Sequence, residues 1–224
     1  MNSQYDAANT LGLQFFGSMT ASISHEIKNA LAIVNENAGL LGDLALLVDK
    51  GRPLDPQRLQ IMAEKIRQQV QRADTIIRRL NRFAHSAHEP MVTTDIREIF
   101  DFTVALAARL ATMKGVTMTV APGEPVQVEV RPFQLENLLW LCLKHLFVVT
   151  SGSQTVEFAA EAAGADVLVS LRFGAGLPVS EIGAWVLSEG QPLLTVLRAE
   201  LRPEASLLRL RLPRKTEPSL ARER

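Results

Sequence analysis

The residues of this chain best suited to chemistry lie in Ser24-His25-Glu26-Ile27-Lys28-Asn29. They fall early in a long stretch with helical apolar periodicity. On a helix turning about 100° per residue, His25 stands about 200° from both Ile23 and Ile27, pointing away from the side those residues bury. Asn29 follows one turn later on the same face, Ser22 lies one turn before, and Glu26 is the immediate neighbour. A solvent-facing imidazole with an adjacent carboxylate and an amide at i+4 can accept and release a phosphoryl group. A solvated histidine on a plain coiled coil has the same local appearance, so the elements around it decide between the two readings. The other histidines carry no comparable grouping. His85 and His88 sit near Pro90, where a place in the last turn of a helix is the ordinary one. His145 lies in an apolar segment without a His, Cys or Asp cluster, which reads as a core or groove position and not as a metal ligand.

Two helices must position the His25 face, and residues 8–88 read as a hairpin. From Ile27 the first helix runs through Leu31, Val34, Ala38, Leu41, Ala45 and Val48, with gaps alternating 4 and 3, the pattern of a heptad seam. Phe16, Met19 and Ile23 continue the stripe upstream with a shift of register, and about 14 residues are expected to precede the helix. Gly51-Arg52-Pro53 ends it. Asp55-Pro56 offers an N-cap and a proline at the first position of a second helix. Its seam is Leu59, Ala63, Ile66, Val70, Ala73, Ile77, Leu80 and Ala84, widened by Met62, Ile76 and Phe83. Stripes this wide are not buried by one partner helix, which points to two hairpins in a homodimeric four-helix bundle.

Beyond residue 90 the periodicity changes. Asp95 and Glu98 suggest a capping box that opens a helix to about Met113, ended by Gly115. VTMTV (116–120) and VQVEV (126–130) alternate as strands around Pro122-Gly123. PFQLENLLWLCLKHLFVV (132–149) is a strongly apolar helix. TVEFAAEA (155–162) and DVLVSLRF (166–173) form the next strands, a short helix covers 180–188, and TVLRAELR with SLLRLRLP reads as a closing hairpin. The result is an α/β sandwich with one mixed sheet and helices on one face.

Composition bounds the partners. The 224 residues suit one or two domains, and 47% of them are hydrophobic. Lys+Arg and Asp+Glu balance at 24 each, so bulk charge points neither to nucleic acid nor to a membrane surface. The single cysteine, Cys142, lies in an apolar run, giving no disulfide framework and fitting a reducing cytosol. No uninterrupted run approaches 18 apolar residues, and MNSQYDAANT lacks the pattern of a signal peptide, so a cytoplasmic protein is expected.

Residues 15–31, FFGSMTASISHEIKNAL, resemble the phospho-acceptor helix of bacterial two-component histidine kinases, and the order of elements over roughly 15–213 resembles that kinase core. The resemblance implies an α+β chain: a dimeric helical hairpin over 1–90, an ATPase-like α/β sandwich over 91–213, and a tail over 214–224 expected to be disordered. It also implies departures at the nucleotide side. The family's Asp-x-Gly-x-Gly motif corresponds to Arg172-Phe173-Gly174-Ala175-Gly176, and a guanidinium has no acceptor for an adenine amine. Leu141 and His145 stand where the family carries asparagines, one of which holds magnesium; Asn137 lies one turn earlier. Only Gly183 and Gly190 fall where a glycine-rich phosphate lid would be. ATP binding is therefore not expected, and the chain is most similar to the kinase-derived histidine phosphotransferases. That implies His25 as phosphoacceptor, Glu26 orienting or deprotonating the imidazole, and Lys28 neutralising phosphoryl charge. No cofactor is bound by the chain itself, since Mg²⁺ comes with a partner receiver domain. The implied partners are a second copy, response-regulator receivers and a hybrid histidine kinase. The alternatives are a pseudokinase in which Asn29 positions water for receiver dephosphorylation, and a regulator that only binds receivers or a true kinase.

Overall fold

The computed structural model describes residues 2–150 and 152–215. In chain order run α1 (Asn2–Asp49), α2 (Pro56–Ser86), β1 (Val92–Asp95), α3 (Ile96–Met113), β2 (Val116–Val120), β3 (Gln127–Val130), α4 (Pro132–Val149), β4 (Gln154–Ala163), β5 (Asp166–Phe173), α5 (Val179–Leu197), β6 (Glu200–Glu204) and β7 (Leu207–Pro213). This is an α+β chain, with paired helices followed by an α/β sandwich. It packs as two compact units, one of Thr20–Ala84 and the other of the residues up to Met19 together with those from His85 onward. Beyond residue 215 the expected tail lies outside the described residues.

In the Thr20–Ala84 unit the apolar stripes are wider than a single seam, and the structure fixes which part is covered. Each helix carries a shared row, Ile27, Val34 and Leu41 on α1 and Leu59, Ile66, Ala73 and Leu80 on α2, that is buried or half-buried. The inward flank is one residue earlier than the sequence spacing suggested. Ala30 and Asn37 on α1, and Met62, Ile76 and Phe83 on α2, are buried. The other flank is open: Leu31, Val70 and Ile77 are 54%, 54% and 44% exposed. Both flanks carry apolar residues, so spacing alone could not say which one the hairpin would bury. Asn37 sits within the covered flank, its Nδ2 donating to the Ile33 carbonyl at 2.7 Å, so its polar group is satisfied within its own helix. α1 also begins at Asn2, well before the expected start. Averaged over 18 residues, one window of it reaches a mean hydropathy of 1.5, with 6% of the window buried. By length and composition it is therefore long and apolar enough to cross a membrane, which the count of uninterrupted apolar runs did not register.

In the other unit, the sheet order is β2-β4-β5-β7-β6, with β2 parallel to β4 and the remaining pairs antiparallel. Strand alternation decides its faces. Val156, Phe158, Val167, Val169, Leu171, Leu208, Leu210 and Leu212 are at most 1% exposed and form the inner face. Phe100 of α3 packs on Phe158 with ring centroids 5.5 Å apart. The outer face carries ion pairs, including Arg211–Asp166 and Arg209 with Glu204 and Glu161. These hold both arginines above their ordinary range, chiefly through hydrogen bonds to Asp166 and Glu204. β6 forms one edge of this sheet and has Pro203 within it.

Three expectations are corrected in this unit. There are two sheets, because β3 pairs antiparallel with β1 and not within the main sheet. The junction is fixed by Asp95, whose Oδ1 accepts from the backbone N–H groups of Arg97 and Val126 at 3.1 and 3.2 Å. Asp95 thus caps α3, but Glu98 does not complete the box, since its carboxylate accepts from Thr94 Oγ1 at 3.5 Å. Finally, α5 continues through Gly190 and Pro192 to Leu197, so residues 195–197 are helix and not strand. A Cβ at Gly190 would stand 3.0 Å from Leu141 and 3.3 Å from Leu138, so the glycine permits close packing of α5 on α4. That burial outweighs the lost hydrogen bond at Pro192. The helix stops at Arg198, held in the left-handed region with φ 51°.

Candidate functional site

The face bearing His25 is formed as the periodicity requires. Ile23 is 1% exposed and Ile27 half-buried, which turns His25 to the exposed side of α1. Lys28 and Asn29 are exposed with it. Among the described residues, the side chains of His25, Lys28 and Asn29 make no hydrogen bond or ion pair within the protein. Ser22 behaves differently: it is buried, and its hydroxyl lacks a hydrogen-bond partner. Glu26 is drawn toward α2, where its Oε2 lies 3.9 Å from Nη1 of Arg79, with side-chain exposures of 12% and 23%. The distance is that of an ion pair at the edge of contact, in a partly sheltered setting where Coulomb attraction is screened less than at the surface. Sequence reading missed Arg79. The signal was present, since it directly precedes the seam residue Leu80, but pairing it with Glu26 requires the relative rotation of the two helices.

An unpaired imidazole on a rigid helix can act as a nucleophile toward an incoming electrophile. A carboxylate tethered by a guanidinium is fixed in direction, fit to hold a ring N–H. Lys28 supplies a mobile cation and Asn29 an amide able to position water.

The residues expected to bear on a nucleotide sit in another setting. Along α4 and α5 the His145 ring packs against Trp185 with centroids 5.2 Å apart, and its Nε2 lies 3.4 Å from Glu189 Oε2. The angle is poor, for Nε2 has no hydrogen-bond partner that satisfies it. Lys144 Nζ lies 3.3 Å from the same carboxylate oxygen. Burial pushes the His145 imidazole below its ordinary range, outweighing the opposing pull of Glu189. Leu141 lies under Gly190, as described above. Arg172 is spent on a cross-strand pair with Glu157 at 3.4 Å. Of the two retained glycines, Gly176 has a backbone reason, its φ of 84°, whereas a Cβ at Gly174 would clash only with the movable end of the Gln154 side chain. Cys142 is buried and its thiol is pushed up to about 12, so it is inert at neutral pH. Among the described residues no group of His, Cys, Asp and Glu is placed to hold a metal ion.

Residues 17–89 match the family model of the His Kinase A (phospho-acceptor) domain. No curated protein matches the chain. Among solved structures it is similar to the nucleotide-free catalytic domain of histidine kinase ThkA, at 11% identity over 58% of this chain and 100% of that one, with a TM-score of 0.49. It is also similar to the Acinetobacter baumannii histidine kinase AdeS, at 11% identity over 86% and 98% of the two chains, with a TM-score of 0.45. A histidine kinase from Burkholderia phymatum shows 15% identity over 87% and 99%, with a TM-score of 0.45.

Proposed function

We propose that this protein is a histidine-containing phosphotransferase of a two-component phosphorelay, working as a cytoplasmic homodimer without ATP. The observation that carries the reading is an exposed, unpaired His25 inside the residues that match a phospho-acceptor domain. In the step, the Nε2 lone pair of His25 attacks the phosphorus of a receiver's aspartyl phosphate. The N–P bond forms as the acyl O–P bond breaks, the receiver's aspartate leaves as carboxylate, and Glu26 takes the hydrogen bond or the proton of the other ring nitrogen. Lys28 offsets charge on the phosphoryl oxygens. Mg²⁺ is supplied by the receiver's acidic pocket, and onward transfer to a second receiver, including one on a hybrid kinase, reverses the bond changes.

Transfer is favoured over autophosphorylation by α5. It packs on α4 at His145 and Leu141, where the resemblance places the groups for magnesium and nucleotide. The dimer is favoured by the open flanks of α1 and α2, where Leu31, Val70 and Ile77 would be covered by a second hairpin. The same cover would account for the apolar stretch of α1 in a soluble protein. The exposure of Asn29 beside His25 supports a second reading, receiver dephosphorylation by an amide-positioned water.

Purified protein mixed with [³²P]-phosphorylated receiver separates the two. For transfer, label appears on this chain, His25→Gln abolishes it, and Asn29→Ala changes labelling little. For phosphatase action, Asn29→Ala is the damaging change and no stable label appears. Both sites are exposed, so each variant should keep stability within about 0.5 kcal/mol. If neither variant alters the fate of the label, the chemistry does not reside on this face.

A further inference from the structure

We infer that this protein binds a small organic carboxylate with an apolar body in a cavity of the unit that contains the sandwich. The cavity, of about 440 Å³, lies among the N-terminal turns of α1, the start of α4 and the last turns of α5. Its volume falls in the roughly 300–1,000 Å³ typical of small-molecule sites. Leu13, Phe16, Phe133, Leu193 and Val196 give it an apolar wall. The wall is held by packing. Phe15 is 2% exposed and its ring lies 5.4 Å from Phe133 and 6.4 Å from Trp140. Gly12 brings α1 so near that a Cβ there would stand 3.1 Å from the Phe133 ring.

Of its polar lining groups, two that lack partners within the protein define what the cavity would accept. Arg131 lines it, and among the described residues its guanidinium has no ion pair or hydrogen bond. Asn137 also lines it; it is 3% exposed, and its Nδ2 has no hydrogen-bond partner. A buried donor without an acceptor is costly and rare in folded proteins. No acidic side chain is among the lining residues, which besides the apolar wall include Tyr5, Asn9, His88 and Gln134. The cavity thus joins an unpaired cation at its exposed rim to a spare buried amide donor, with no carboxylate to oppose an anion. A single water could satisfy the amide, and solvent reaches the exposed guanidinium, but water leaves the apolar wall uncovered and does not link the two donors. A carboxylate with an aliphatic or aromatic body meets all three. The position is not that of the His145 cluster: α5 meets α4 first at Trp185–His145, next at Gly190 with Leu141 and Leu138, and reaches the cavity only at Leu193 and Val196.

The test is isothermal titration calorimetry on the full chain with octanoate, and with octan-1-ol and octyltrimethylammonium as probes of equal body and different charge. Octanoate should bind saturably, one per chain. Octan-1-ol should be at least about tenfold weaker, the worth of one hydrogen bond to a charged group, and the cation should not bind. Arg131→Gln, at an exposed position, should weaken octanoate about tenfold and leave octan-1-ol unchanged, while Val196→Trp should fill the cavity and remove both isotherms. Equal affinity for acid and alcohol overturns the proposal, as does an unaltered octanoate isotherm in Arg131→Gln or no saturable binding up to about 1 mM. The Arg131 arm stands even if the tryptophan variant fails to fold.

Discussion

Ile76 and Ile77 are neighbours on α2 with opposite surroundings, and replacing each by alanine distinguishes the interior of the hairpin from the surface on which a second copy would sit. Ile76 is 3% exposed and Ile77 44%. Truncating a fully buried isoleucine costs about 2–5 kcal/mol of stability through lost transfer energy and the cavity left behind. Ile76→Ala should therefore lower the stability of the chain in any oligomeric state. For Ile77 the relevant area is the part still exposed. Taking about 2–3 kcal/mol for full burial of such a side chain, 44% of it is about 1 kcal/mol per protomer. A two-fold dimer has the contact twice, so the loss is about 2 kcal/mol, or roughly thirtyfold in the dissociation constant. Sedimentation equilibrium across a dilution series reads that constant, and denaturant unfolding reads stability separately. The expected result is a thirtyfold weaker dimer for Ile77→Ala with little change in denaturant slope, against a clear stability loss for Ile76→Ala. A monomeric wild type at tens of micromolar refutes the reasoning, as does an Ile77→Ala dimer as tight as wild type.

Calorimetry with Mg-ATP should show no binding in the micromolar range, because His145, Leu141 and Arg172 are engaged with Trp185, Gly190 and Glu157; a clear isotherm would overturn the assignment of a closed nucleotide side. Stability should also carry a pH signature from His145. Its folded value is lowered by burial, so the unfolded chain, titrating near the ordinary value of about 6.5, binds more protons below that pH. The contribution is fully present above about pH 6.5 and is lost as pH falls through the lowered folded value. Equilibrium unfolding at several pH values should show wild type losing more stability than His145→Phe over that window, and parallel curves would remove His145 as the cause.

Some of this was legible in the sequence because local periodicity and burial agreed. His25 is exposed because Ile23 and Ile27 pull the opposite face inward, and β4 and β5 alternate clearly between core and ion-paired faces. What failed did so where more than one local answer was acceptable. Ala30 and Leu31 are both apolar, as are Ile76 and Ile77, so register had to be chosen by packing that sequence does not display. Gly190 and Pro192 read as a break, yet close approach to α4 needed the glycine and burial tolerated the proline. The polar N-terminus carried no helix signal, and its docking depends on Gly12 and Phe15 meeting residues far along the chain. The Glu26–Arg79 pair likewise depends on a rotation between two helices.

Pro203 has a consequence for how the folded chain meets copies of itself in a crowded solution. A sheet edge is a row of unpaired backbone groups able to recruit another strand, and such recruitment starts many aggregates. β6 is five residues long, lacks one N–H at Pro203, and alternates Glu200, Arg202 and Glu204 along its length. A strand approaching that edge would meet a gap in the hydrogen-bond ladder and charges of both signs that must be desolvated. This edge is thereby closed to templated growth, so the self-association proposed above would be kept off β6 and directed to the open flanks of α1 and α2, where pairing of two hairpins is self-limiting.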